Sequence, residues 1–127
     1  MVYRDVKVRF KTARIDEEWD VLSWKLRASL LALSMWAEDE LGKDLVITCL
    51  HRTTEENAAV GGVPNSLHTK DMAADIRTRG WTPKEIVKAK TFWDTELRRD
   101  NCFQMVVEKD HIHVELDNSV KKLEVYP

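Results

Sequence analysis

Two segments that lie far apart in the sequence carry side chains suited to holding a metal ion, provided that the fold brings them together. The first is Ser66-Leu67-His68-Thr69-Lys70-Asp71-Met72-Ala73-Ala74-Asp75, and the second is Asp110-His111-Ile112-His113. Together the segments offer histidine imidazoles and one carboxylate as possible metal ligands, and one further acidic side chain that is not needed as a ligand. A set of two His and one Asp occupies three tetrahedral positions of zinc and leaves the fourth for a water that the metal activates.

The predicted elements decide which imidazoles belong to this set. We expect His68 in a loop and Asp75 in the strand Met72–Arg77 that follows it. In the predicted strand His111–Leu116, alternation places His111 and His113 on one face. We expect only one of them to reach the metal and choose His113, so that His111 lines the cleft. Ordinary structural roles for these histidines stay open, because such short motifs often match by chance.

A metal-activated water needs a general base within hydrogen-bond reach. Asp110 lies three residues before His113 at a predicted turn, and we favour it as the base. The alternative is Glu108, which lies on the other side of the same turn.

Arg52 follows the apolar run Leu45–Leu50 and precedes a predicted short helix. Its guanidinium fork can bind a substrate carboxylate through two hydrogen bonds. A surface salt bridge to Glu55 or Glu56 is an equally good interpretation. From the pattern alone, the two roles of Arg52 remain open.

The remaining pattern predicts helices alternating with strands and then a strand meander. A helix is expected from Asp16 to Leu41, with one apolar stripe and Gly42 as its left-handed end. Two more helices are expected to begin with capping boxes at Thr53 and Thr82. The expected strands are Val6–Phe10, Leu45–Leu50, Met72–Arg77, Phe103–Val107, His111–Leu116 and Val120–Tyr126. This order predicts an α+β fold, a mainly antiparallel sheet with helices packed on one face.

The bulk properties exclude several classes of protein. We expect a single domain over residues 1–127, and the net charge of −2 gives no basic footprint for nucleic acid. Cys49 and Cys102 lie in apolar runs and are expected to be buried free thiols. The first ten residues alternate charged and apolar side chains, so we expect no signal peptide and synthesis in the cytoplasm. No apolar stretch is long enough for a membrane span, and a monomer is the default expectation.

The motif residues resemble those of a known family. Ser66-x-His68-x-x-x-x-Ala73-x-Asp75, Arg52-Thr53-x-Glu55-x-Asn57 before it and Asp110-x-x-His113 after it resemble the D-Ala-D-Ala carboxypeptidase-type zinc peptidases. These share a fold with the hedgehog signalling domain. The resemblance runs from about Leu50 to Leu116 and has the right order and spacing.

The resemblance implies zinc held by His68, Asp75 and His113. It also implies that Asp110 is the catalytic base and that Arg52 and Ser66 contact the substrate. It implies peptidoglycan stem peptides as substrates, cut at D-Ala-D-Ala or, as in some phage endolysins, at L-Ala-D-Glu. A small phage or prophage lysin released to the cell wall by a separate pore is the expected origin. A virion component that opens the wall locally would use the same chemistry.

One position departs from the family pattern, and one alternative function stays open. Asp71 occupies a place where the family usually has Gly, which indicates a left-handed backbone position that Asp tolerates better than most residues. The alternative to a peptidase is a non-catalytic zinc-binding or cell-wall-binding module of the same fold. The acid at Asp110 favours catalysis.

Overall fold

A computed structural model of the chain describes residues 8–62, 66–98 and 103–116. In chain order, its elements are β1 (Val8–Phe10), α1 (Ala13–Glu18), a 3₁₀ turn (Trp19–Val21), α2 (Trp24–Leu41), β2 (Leu45–Cys49), α3 (Thr54–Ala59), a second 3₁₀ turn (Leu67–Lys70), β3 (Ala73–Arg77), α4 (Pro83–Phe92), a π turn (Trp93–Leu97), β4 (Phe103–Val107) and β5 (His111–Leu116). The predicted strand Val120–Tyr126 and Cys102 lie outside the described residues.

The strands form one five-stranded sheet in the order β1-β2-β3-β5-β4. Strands β1 and β2 are parallel, and every other neighbouring pair is antiparallel. The predicted α+β class with a mainly antiparallel sheet is therefore confirmed. The central strands β3 and β5 are the ones that carry the two motif segments.

One face of the sheet forms the hydrophobic core. Alternate residues of the central strands, among them Ile76, Ile112 and Val114, are fully buried on this face. They form one cluster with the apolar stripe of α2 and with Trp93 at the end of α4. Trp93 is also held in place by a 3.1 Å hydrogen bond from its Nε1 to the carbonyl oxygen of Phe103. Because successive side chains of a strand point to opposite faces, the intervening residues lie on the other face of the sheet, where a site can form.

The prediction of a single helix from Asp16 to Leu41 is wrong, because the structure has two separate helices, α1 and α2, in this region. Helix α1 ends at Glu18, and Leu22 has an extended backbone with ψ of 144°. The break buries Leu22 and turns the N–H of Ser23 toward the carbonyl oxygen of Asp71, at 2.9 Å. A tertiary hydrogen bond and an apolar contact thus replace one helical turn, which helical periodicity cannot indicate.

The predicted left-handed end at Gly42 and both predicted capping boxes are confirmed. Gly42 ends α2 in the left-handed region with φ of 65°. Helix α3 begins with a capping box between Thr53 and Glu56, and α4 begins with one between Thr82 and Glu85. Within the described part of the chain, no helix is both long and apolar enough to cross a bilayer.

Candidate metal centre and active site

Strand register places the motif residues side by side on the sheet face opposite the core. Asp75 of β3 lies directly across from His113 of β5, and Arg77 lies across from His111. Since directly opposed residues of antiparallel strands project to the same face, the carboxylate and both imidazoles emerge together. The predicted proximity of the two segments is therefore a consequence of the β3–β5 pairing.

His68 reaches this face from the 3₁₀ turn at residues 67–70. The hydroxyl of Ser66 accepts a hydrogen bond from the N–H of His68 at 3.2 Å and so begins the turn. The N–H of Arg52 donates to the carbonyl oxygen of His68 at 3.1 Å, which ties the turn to the end of β2. Asp71 ends the turn with φ of 58°, and this confirms the left-handed position predicted for it.

Both predicted histidine ligands contact the same oxygen of Asp75. Nε2 of His68 lies 3.1 Å from Oδ1 of Asp75, and Nδ1 of His113 lies 2.9 Å from the same oxygen. The two rings meet edge to face with centroids 5.2 Å apart. His68 is 1% exposed and Asp75 is 5% exposed, so the donor atoms are shielded from bulk water.

Each imidazole is oriented by a second hydrogen bond from its other nitrogen. Nδ1 of His68 donates to the carbonyl oxygen of Leu50 at 2.7 Å. Nε2 of His113 donates to Oε1 of Glu115 at 2.8 Å. Such partners fix the tautomer of a metal-binding His and leave the opposite nitrogen free for the metal.

The metal-free electrostatics follow from these contacts. Burial favours neutral His68, but its hydrogen bonds with Asp75 and Cys49 outweigh burial and raise the pKa of His68 to about 10. The pKa of His113 is also raised, because bonds to Asp75 and Glu115 overcome its burial. Burial alone would raise the pKa of Asp75, yet bonds from both imidazoles hold it well below its ordinary value. Two protons therefore bind at the point that a metal would occupy.

Two donor–donor distances in this set are compatible with zinc. Zinc–ligand bonds of about 2.0–2.1 Å in tetrahedral geometry place neighbouring donor atoms about 3.3 Å apart. The distances of 3.1 and 2.9 Å from the Asp75 oxygen to the two nitrogens are within a few tenths of an ångström of this spacing. His68, Asp75 and His113 can therefore hold zinc after the loss of two protons and a small outward adjustment.

A second donor set overlaps the first. Cys49, His68 and Asp75 have potential ligand atoms within 4.8 Å of one another. However, Sγ of Cys49 lies 3.7 Å from Nδ1 of His68, the nitrogen that is already bound to the carbonyl of Leu50. Ligation through Nδ1 would break that bond, so the geometry favours Nε2 and leaves Cys49 beside the other ring nitrogen.

The residues predicted to bind substrate lie around the predicted metal ligands. A cavity of about 220 Å³, which we call the metal cleft, is lined by Arg52, Ser66, His68, Asp75, Glu108, His111 and His113. The guanidinium of Arg52 lies 3.6 Å from Oδ2 of Asp75 and bonds the side chain of Asn57 at 3.2 Å. The structure thus places Arg52 beside the ligands, and its predicted alternative salt bridge to Glu55 or Glu56 does not form.

Asp110 and Glu108 flank the site differently. Oδ1 of Asp110 accepts a 2.7 Å hydrogen bond from Nδ1 of His111, which lowers the pKa of Asp110. Its carboxylate is 87% exposed and does not line the metal cleft, whereas Glu108 does. His111 connects the two regions, because its Nε2 lies 3.8 Å from Oδ1 of Asp75.

A second cavity, which we call the basic cavity, adjoins the metal cleft. It has a volume of about 350 Å³ and is lined by Lys11, Thr48, Asp75, Arg77, Arg79, Asp110 and His111. The two cavities share Asp75 and His111, so the candidate metal centre lies at their boundary.

Sequence reasoning missed three features of this site. It assigned no role to Glu115, although alternation along β5 places Glu115 on the face of His113. It treated Cys49 as a buried thiol, because the strand irregularity between Ile47 and Cys49 that brings Cys49 opposite Asp75 has no sequence signal. It also overlooked Arg77, which the alternation from Asp75 could have indicated.

One family of known proteins matches most of the chain. The family model described as Peptidase M15 matches residues 8–115, which include all of the described site. No curated protein and no solved structure matches the chain. A match over this much of the chain shows the family. The chain belongs to the Peptidase M15 family, whose members are zinc-dependent metallopeptidases.

Proposed function

We propose that this metallopeptidase hydrolyses peptidoglycan stem peptides, at D-Ala-D-Ala or L-Ala-D-Glu bonds. The supporting observation is the convergence of His68 Nε2 and His113 Nδ1 on one oxygen of Asp75 beside an open cleft. Three protein ligands with an open side are typical of catalytic zinc sites, whereas structural sites use four. The choice of the cell wall rests on the likeness of the Ser66–Asp75 and Asp110–His113 motifs to the D-Ala-D-Ala carboxypeptidase-type peptidases.

Zinc held by His68, Asp75 and His113 would lower the pKa of a water to about 7 and polarise the substrate carbonyl. The residues of the chain supply the other parts of the reaction. Asp110 accepts a proton from the attacking water and delivers it to the leaving amine nitrogen. Arg52 donates hydrogen bonds to the carbonyl oxygen, where negative charge develops as the water adds. Ser66 lines the same cleft and holds the peptide beside the ligands.

Asp110 must rotate to act as the base. In this structure it bonds His111, and its 87% exposure means that rotation breaks that hydrogen bond without displacing any packed side chain. A non-catalytic module that binds zinc or cell wall is the alternative function that this orientation favours. Glu108 already lines the metal cleft and is the alternative base.

The test is digestion of purified sacculi with zinc-loaded protein, with and without chelator, followed by mass spectrometry of the fragments. We expect chelator-sensitive release of D-Ala if the protein is a D,D-carboxypeptidase, or new L-Ala and D-Glu termini if it is an endopeptidase. Fragments that appear equally with chelator, or no fragments at all from zinc-loaded protein, would contradict the proposal. The second result would favour the binding module.

Two matched variants test the base. Asp110→Asn should lower the rate by roughly 10²- to 10⁴-fold, the usual contribution of a general base, while zinc content stays unchanged. Glu108→Gln should keep the rate within a few-fold of wild type. The opposite pattern would assign proton transfer to Glu108.

A further inference from the structure

The basic cavity has a chemistry that the proposed hydrolysis does not use. Three of its lining side chains are cationic, namely Lys11, Arg77 and Arg79. Arg77 is half-buried, and Lys11 and Arg79 are exposed. Lys11 follows β1 and Arg79 follows β3, so the cations come from two different strand ends and meet beside the metal centre.

These cations lack the partners that the other site cation has. Within residues 8–62, 66–98 and 103–116, the side chains of Lys11, Arg77 and Arg79 make no hydrogen bond or ion pair. Arg52, which lines the metal cleft, contacts both Asp75 and Asn57. The basic cavity therefore offers guanidinium groups whose hydrogen-bonding capacity is free for a ligand.

The acids in the cavity do not offset this charge. Asp75 is engaged by His68 and His113, and the Asp110 carboxylate is bound to His111. Once a divalent ion binds Asp75, the metal and the three cations outweigh the two carboxylates. A cavity with this balance attracts an anion, and guanidinium groups bind carboxylates in a planar two-bond geometry.

The position of Arg77 matches the spacing of a peptide. Arg77 lies two residues beyond Asp75 on the same strand face, which is about 7 Å along the strand. An extended peptide advances about 3.5 Å per residue. A carboxylate one residue from the scissile carbonyl would lie about halfway along this distance, where the long Arg77 side chain can meet it while the scissile carbonyl lies at the metal.

We infer that the basic cavity is a specificity subsite in which Arg77, Arg79 and Lys11 bind a carboxylate of the peptide adjacent to the scissile bond. This inference rests on the proposed peptidase function. Two carboxylates of a stem peptide have the required chemistry, the terminal carboxylate of D-Ala and the free carboxylate of D-Glu. Arg52 lines the metal cleft and the three cations line the basic cavity, so a bound peptide would contact both cavities.

The test compares matched substrates that differ only in one carboxylate. One pair of stem peptides ends in D-Ala acid or D-Ala amide, and a second pair carries D-Glu with a free or an amidated carboxylate. The variants are Lys11→Gln and the double variant Arg77→Gln with Arg79→Gln. The control is Lys88→Gln, which removes one charge from the exposed surface of α4. All proteins are loaded with zinc, and their zinc content is measured.

The double variant should lower kcat/KM for the preferred acid peptide roughly 10-fold or more, because hydrogen bonds to charged groups are lost. Lys11→Gln should cause a smaller loss of the same kind. Hydrolysis of the matching amide, zinc content and the Lys88→Gln control should change less than about two-fold. The pair that shows this selectivity identifies which carboxylate is bound. Equal losses on acid and amide, or no loss on either acid, would overturn the inference and leave the proposed function standing.

A calorimetric titration separates the two proposals if zinc-loaded wild type cleaves none of the peptides. That result would overturn the proposed function. In that case, acid-selective binding that the double variant loses would uphold the carboxylate subsite. Equal binding of acid and amide peptides, or no binding, would overturn the subsite as well.

Discussion

Asp71 shows at the scale of one residue how the turn that carries His68 is held. Its backbone is in the left-handed region, its carbonyl accepts from the N–H of Ser23 at 2.9 Å, and its carboxylate accepts from Nδ1 of His51 at 2.9 Å. Glycine would satisfy the backbone alone. Asp at this position therefore combines a tolerated conformation with an added side-chain bond.

Replacement of Asp71 should separate these two contributions. Asp71→Val should lower the free energy of unfolding by about 1–2 kcal/mol, because a β-branched residue is strained in this region. Asp71→Gly should stay within about 1 kcal/mol of wild type, since relief of the backbone offsets the lost bond to His51. Urea unfolding of the metal-free proteins measures both values. Equal losses in the two variants would contradict the backbone argument.

Replacement of Cys49 and replacement of His68 should have opposite effects on the zinc content of the protein. Cys49→Ala should retain one zinc per chain, because Cys49 lies on the Nδ1 side of His68 and the metal is assigned to Nε2. His68→Ala should lose the zinc, and His51→Gln, at a histidine outside the ligand set, should retain it. Elemental analysis after dialysis gives the stoichiometry. Loss of zinc from Cys49→Ala would move the site to the Cys49, His68 and Asp75 set.

At the scale of elements, features that depend on nearby residues were predicted correctly, whereas features that depend on tertiary contacts were not. The bounds predicted for β4 and β5 agree with the structure, because alternating residues between turn signals need no distant partner. Both capping boxes were predicted for the same reason. The break between α1 and α2 was not, since it depends on Asp71 accepting from Ser23, a contact between residues far apart in the sequence.

The cap of α4 gives a prediction at this scale. Thr82→Ala should cost about 1 kcal/mol of stability, because it removes the oxygen that accepts from the N–H of Glu85 at 3.1 Å. Thr91→Ala is the matched control in the same helix. Its hydroxyl only bonds back to the carbonyl of Val87, so this substitution should cost nothing. Thermal unfolding compares the two, and a loss in Thr91→Ala as large as in Thr82→Ala would argue against a specific cap.

For the whole molecule, sheet register is the feature that joins the motif segments. The spacing of His68, Asp75 and His113 predicted that these side chains lie close together, and their role as metal ligands stays a prediction. The order β1-β2-β3-β5-β4 was not predictable, because strand pairing leaves little trace in one sequence. The basic cavity depends on that order, since Lys11 and Arg77 come from different strand ends. A single domain over residues 1–127 stays a prediction.

The pH dependence of stability should have opposite signs without and with zinc. In the metal-free fold the pKa of His68 is raised to about 10, so its protonation stabilises the folded state. This contribution is complete at pH values below the unfolded pKa of 6.5 and is lost progressively as the pH rises toward 10. Zinc must displace the protons from both imidazoles, so its binding strengthens as pH rises. The increase in Tm on adding zinc should therefore be larger at pH 8 than at pH 5.5. An increase that is constant or falls with pH would contradict the proton-linked ligand set.

The most direct measurement is a zinc titration of chelator-treated protein during digestion of purified sacculi, with newly released amino groups as the readout. The account predicts no release before zinc, then a rise that levels off at about one zinc per chain, and no release at any zinc level from Asp75→Asn. Release that is independent of zinc, or that persists in Asp75→Asn, would contradict the claim that His68, Asp75 and His113 form the catalytic metal centre.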